Sequence, residues 1–157
     1  ILSQRTDLRR FAFRSTTASE RSVSAPRLQQ QASPSRQLHD HVGGNYYGAA
    51  TATTLSGTCL STGPVPVVVQ FTHAGGVPFT GVVATAASTC TMTGSYGQRG
   101  RYGDVFGGYT CTNGESGTGA ITSIAVTDAT VTFHFRFDGT GPGYACVYEG
   151  DFGGARG

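Results

Sequence analysis

Between residues 131 and 138 the chain alternates without a fault: Val131, Phe133, Phe135 and Phe137 stand between Thr132, His134, Arg136 and Asp138. Only extended backbone sends every second side chain to the same face, so this stretch reads as a β-strand with one apolar side. Period 2 predicts that Val131, Phe133, Phe135 and Phe137 face a core and that His134 and Arg136 do not. Just before it, residues 121–127 are rich in β-branched side chains, and Asp128-Ala129 is the only break, which reads as a tight hairpin. Further strands are expected at residues 46–54, 65–72, 77–85, 88–94, 105–112 and 143–149. Turn residues stand between them: Gly63-Pro64, Gly75-Gly76, Asn113-Gly114 and the glycines from Gly139 to Gly143.

About eight short strands with hairpin-length connections describe an all-β, antiparallel domain, an up-and-down barrel or a sandwich. Closure favours the barrel, because it leaves no strand edge exposed. No segment after Gly43 shows helical period. Three phenylalanines on one face predict a filled interior with little void.

Composition divides the chain sharply. All 24 glycines lie at or after Gly43, and residues 1–42 also lack Cys and Tyr. Residues 1–42 carry seven Arg against Asp7, Glu20 and Asp40, a net +4, whereas residues 43–157 carry four Arg against six acids, a net −2. We therefore expect two regions, an Arg/Ser/Gln-rich N-terminal arm over 1–42 and a Gly/Thr-rich β-domain over 43–157.

The arm has too few large apolar residues for a core of its own. Leu8 and Phe11 stand at helical spacing, and Pro26 and Pro34 interrupt regular structure beyond them. Leu8, Phe11, Phe13 and Leu28 read as anchors that a wandering segment sets into pockets of a partner, and its Arg residues offer bidentate contacts to carboxylates. The expectation is an extended or partly helical arm, disordered alone and ordered on a partner. Its Arg-rich, Ser-rich and acid-poor composition also matches a targeting presequence.

Cys59, Cys90, Cys111 and Cys146 all belong to the β-domain, and no two of them form a C-x-x-C pair. That argues against a cysteine zinc site and for two disulfides in an oxidising or exported compartment. Four cysteines allow three connectivities. Similar local contexts point to Cys59–Cys90 and Cys111–Cys146.

Other chemistry is sparse. His39 and His41 flank Asp40 at the boundary, which reads as a polar linker, so no metal and no cofactor are expected. His134 and Arg136, on the polar face of the clearest strand, are candidates for a ligand or an interface. Glu149 and Asp151 share a strand face, but so near the terminal glycines they read as a solvated tail rather than as a glycosidase pair. The segment GSYGQRGRYG, residues 94–103, reads as a long mobile hairpin loop whose Tyr96, Arg99, Arg101 and Tyr102 suit a protein contact. A net charge of +2 is too small for nucleic-acid binding by charge. No serine-hydrolase elbow, phosphate loop or dinucleotide motif is present. No apolar run is long enough for a membrane-spanning helix, which leaves room for a membrane-associated complex.

The leading expectation is a non-catalytic structural or interaction subunit: a rigid β-domain whose arm docks on other protein chains. The alternatives are a barrel that binds a small apolar or amphipathic ligand, with His134 and Arg136 at its mouth or lumen, and a cofactorless isomerase-like barrel enzyme.

Overall fold

The computed structural model describes residues 42–74 and 77–157. Eight antiparallel strands run in chain order: β1 Gly44–Gly57, β2 Thr62–Thr72, β3 Phe79–Ala84, β4 Thr89–Arg99, β5 Tyr102–Cys111, β6 Ser116–Val126, β7 Thr130–Gly141 and β8 Tyr144–Arg156. Each pairs with its neighbours, and β8 pairs back onto β1 from Tyr46↔Arg156 to Gly57↔Cys146, closing the barrel. The fold is the closed alternative, not the sandwich.

Two regions differ from their reading in the sequence. Residues 94–103 are not a long loop. β4 continues to Arg99, β5 resumes at Tyr102, and Gly100, at φ +60°, makes the tight turn. Arg99 and Tyr102 are directly paired. The residues after Glu149 are not a solvated tail either. β8 continues to Arg156 with β1 on one side and β7 on the other. Its glycines serve close approach there: a side chain on Gly150 would run into the Thr51 carbonyl oxygen and the Phe135 ring.

Because connections alternate between the two ends of an up-and-down barrel, the interior has two distinct ends. One is solidly packed. Val42, Tyr46, Phe79, Val105, Ile124 and Val131 are fully buried there. Phe71 joins Phe79 and Phe133 at ring-centroid distances of 5.0 and 5.5 Å. Val42 belongs by composition to the arm, yet it is part of this core, and its carbonyl accepts a hydrogen bond of 3.1 Å from the Tyr46 hydroxyl. Tyr46 in turn accepts from Arg156, 2.9 Å away. The rest of the arm, including Leu8, Phe11, Phe13, Leu28, His39, Asp40 and His41, lies outside the described residues.

A β-bulge tightens the same end. Register slips in β6 between Thr122 and Ala125, and Ser123 sits at φ 56°. Asp104 fills the irregularity. Its Oδ1 accepts from the Ser123 N–H at 2.9 Å, and its Oδ2 accepts from Arg99 Nε, also at 2.9 Å, in an ion pair with that guanidinium. Asp104 is the one buried charged residue among those described. The Ser123 amide holds its carboxyl below the usual range, with burial opposing and Arg99 assisting.

Both disulfides lie at the opposite end. They are Cys59–Cys146 and Cys90–Cys111, not the pairing that local context suggested. The geometry of the barrel explains why. Cys90 opens β4 directly across from Cys111, which ends β5. Cys59 follows β1, and barrel closure brings that strand's end, at Gly57, beside Cys146. Two disulfides are consistent with an oxidising environment.

Candidate site in the barrel lumen

The lumen is not filled. A cavity of about 210 Å³ occupies the half of the barrel nearest the disulfides. Its wall is mixed in size. β7 contributes Phe133, Phe135 and Phe137, whereas β1 contributes only Ala50 and Ala52, and β3 contributes Gly81 and Val83. A row of phenylalanines fills a barrel only if the facing strands are also large. Here they are small, and the void follows. Val131, Phe133 and Phe135 are buried, and Phe137 is half-buried. Thr62, Thr85 and Ser88 border the cavity at its open end.

The polar centre of this mouth is Glu115, in the turn from β5 to β6. The turn holds its backbone closely. The Glu115 carbonyl accepts from the Cys111 N–H at 2.7 Å, and the Glu115 N–H donates to Asn113 Oδ1 at 3.1 Å. Gly114, at φ +87°, supplies the left-handed step that turns the chain. Three tyrosines then converge on the carboxylate. Tyr109 donates to Oε1 at 2.6 Å, Tyr148 to Oε1 at 3.0 Å and Tyr144 to Oε2 at 2.9 Å. Tyr109 comes from β5 and the other two from β8, strands far apart in the sequence that direct all three rings to one spot.

Two glycines of β7 seat these rings. A side chain on Gly139 would overlap the Tyr109 hydroxyl, and one on Gly141 would overlap the Tyr144 ring. The rings also pack with the aromatic wall: Tyr109 meets Phe137 edge-on at 4.9 Å, and Tyr148 lies 5.7 Å from Phe137.

Burial pushes the Tyr109 hydroxyl well above its ordinary range, with the bond to Glu115 adding to the effect. Tyr148 is raised by burial and then by the nearby Glu115 charge. Tyr144 is raised by burial and then by its hydrogen bond to Glu115. The three phenols are therefore neutral donors and Glu115 is their acceptor.

The residues singled out in the sequence lie elsewhere. His134 and Arg136 are on the outer face of β7, not in the lumen or at its mouth, because period 2 turns them away from Phe133, Phe135 and Phe137. They face β8 in register, His134 opposite Asp151 and Arg136 opposite Glu149. His134 Nδ1 lies 3.1 Å from Asp151, and Arg136 lies 4.0 Å from Glu149. All four are solvent-accessible, so this is a surface charge row of small energetic weight. Tyr96 points inward near the packed end, 4.5 Å from His73 between ring centroids. Arg101 stacks on the Tyr102 ring at 5.2 Å.

Sequence reading passed over Glu115, Tyr109, Tyr144 and Tyr148. Glu115 sits in a turn, where no periodicity marks it. The detectable signal was the alternation of glycine with bulky residues, since Gly139 and Gly141, read as turn formers, in fact lie in β7 opposite Cys146 and Tyr144.

Among the described residues, no cluster of His, Cys, Asp and Glu is placed to hold a metal, and no helix is long and apolar enough to cross a membrane. No family model, curated protein or solved structure matches the chain.

Proposed function

We propose that this domain is a non-catalytic binding barrel for a small amphipathic molecule, held in the lumen with its apolar part against the phenylalanine wall and its polar end at Glu115. The observation that carries the proposal is the coincidence of an apolar cavity with one charged group, Glu115, at a mouth otherwise bordered by neutral hydroxyls. Ligand sites combine these two features, an apolar lining and a few placed polar groups. Size limits the ligand. A cavity of about 150 Å³ admits benzene, so one of 210 Å³ suits a single ring with a short substituent. The carboxylate is committed to three hydroxyl donors, an arrangement that fixes a charge in place rather than moves a proton. The disulfides that brace the rim suit an exported protein working outside the reducing cytosol.

The test is ligand-linked stability. Benzene should raise the melting temperature of the native protein in proportion to the logarithm of its concentration. Ala52→Leu, which fills the lumen from β1, should abolish that response while leaving a cooperatively folded barrel. A native protein whose melting temperature is unmoved by benzene and by substituted benzenes would remove the proposal.

A further inference from the structure

Building on the lumen as a binding site, we infer that its ligand is a cation: a small aromatic molecule carrying a protonated amine, with the ammonium group on Glu115. Four observations lead there.

The first is hydrogen-bond bookkeeping at the carboxylate. An ionised carboxylate has about four acceptor positions. Tyr109, Tyr148 and Tyr144 occupy three of them. What the site still offers is an acceptor, and the ligand group that answers it is a donor. Tyr109 and Tyr148, the two of these tyrosines that line the cavity, both direct their protons to Glu115 and so add no free donor to the lumen.

The second is charge. None of the ion pairs among the described residues involves Glu115. Arg99 and Arg101 flank the β4–β5 turn at the packed end, and Arg156 bonds Tyr46 there. Arg136 is on the outer surface beside Glu149. The mouth of the lumen therefore holds a negative charge with hydroxyl donors around it and no described cation. A ligand that brought a second negative charge would meet repulsion in a partly desolvated site.

The third is the aromatic surround. Tyr109 and Tyr148 both line the cavity beside Glu115, with Phe137 packed between them. Ring faces attract ammonium groups, more strongly where water is excluded.

The fourth is access. Glu115 is half-buried and lines the cavity itself, so the carboxylate is reachable from the lumen and not walled off by its partners.

The experiment uses three matched probes on the native, disulfide-bonded chain: 2-phenylethylamine, 2-phenylethanol and phenylacetate. They share a ring and differ in the head group. Calorimetric titration at neutral pH should rank the amine tightest, by about tenfold over the alcohol, with the acid weakest, as expected for a charge-assisted hydrogen bond. Glu115→Gln should remove the amine's advantage and leave alcohol binding within about threefold of native. The native ranking needs no variant to fold. Equal affinity for the three probes, or tighter binding of the acid, would overturn the assignment while leaving the lumen as a binding site. An amine preference that survives Glu115→Gln would overturn it as well. If benzene and all three probes fail to bind, the binding barrel itself is wrong.

Discussion

Tyr109 reaches Glu115 through space that Gly139 leaves empty. The hydroxyl donates to Oε1 at 2.6 Å, and a methyl group on Gly139 would overlap that hydroxyl while coming within 2.9 Å of the same carboxylate oxygen. Gly139→Ala should therefore destabilise the barrel by about 1–3 kcal/mol, the usual cost of overpacking. Tyr109→Phe alone should cost about 1 kcal/mol for the lost hydrogen bond. Combined, the two substitutions should cost less than their sum, because the phenylalanine vacates the contested position. Urea unfolding of the three variants measures the coupling, and strict additivity would contradict it.

The three phenols around Glu115 predict an alkaline limit to stability. Each has a folded pKa raised above its ordinary value of 10.0. A group raised in this way stabilises the folded state fully below its unfolded value, and that contribution is lost as pH rises through the folded value. Stability should fall progressively above pH 10.0, with the last phenolate absorbance appearing together with unfolding. Complete ionisation of all seven tyrosines in an intact barrel would contradict this.

Asp104 should contribute to the acid limit of stability. Its carboxyl is held below the ordinary value of 3.8, so its contribution is present above that value and is lost as pH falls through the lower, folded one. Asp104→Ala leaves the Ser123 N–H without its acceptor and should cost about 2–3 kcal/mol. It should also flatten the loss of stability on acidification below pH 3.8. Thermal melts across that range on both proteins would show the difference, and identical acid profiles would count against the role given to Asp104.

The bridges differ in span. Cys59–Cys146 closes 87 residues and Cys90–Cys111 closes 21. On the chain-entropy account the longer loop contributes more, about 4–5 kcal/mol against about 3. Peptide mapping without reduction should recover these two pairs. Cys59→Ser/Cys146→Ser should lower the melting temperature more than Cys90→Ser/Cys111→Ser. Recovery of Cys59 linked to Cys90 would contradict the fold itself.

The arm is best divided one residue earlier than composition suggests. Deleting residues 1–41 should leave the melting temperature of the barrel nearly unchanged, whereas deleting Val42 as well should lower it, because that side chain is fully buried and its carbonyl holds Tyr46. Differential scanning calorimetry of the two truncations separates the cases. Equal melting temperatures would mean that Val42 contributes nothing to the core.

All eight strands were visible in the sequence, because alternation and turn residues are local signals and an up-and-down barrel is built from local pairings. Where glycine interrupted the alternation the signal failed: the end of β8 looked like a tail and the start of β5 like a loop. The site was less visible for a different reason. Its shape depends on which strands face each other across the lumen, so neither the void opposite Phe135 nor the meeting of Tyr109 with Tyr148 has a signature within one strand. The cysteine pairing failed in the same way, since Cys59 meets Cys146 only once the last strand returns to the first. Val42 was assigned by composition, which does not register a single apolar residue at a boundary.

Because β1 and β8 complete the ring, every strand already has a partner on both sides. Another chain could lengthen the sheet only beside the short strand β3, where residues 62–67 of β2 and 95–99 of β4 run past their pairing with it. Whatever grips the barrel elsewhere on its outside must do so through side chains: apolar ones such as Phe106 and Tyr47, both more than half exposed, or the charged row of His134, Arg136, Glu149 and Asp151. A partner that bound those residues would touch none of the side chains that line the cavity.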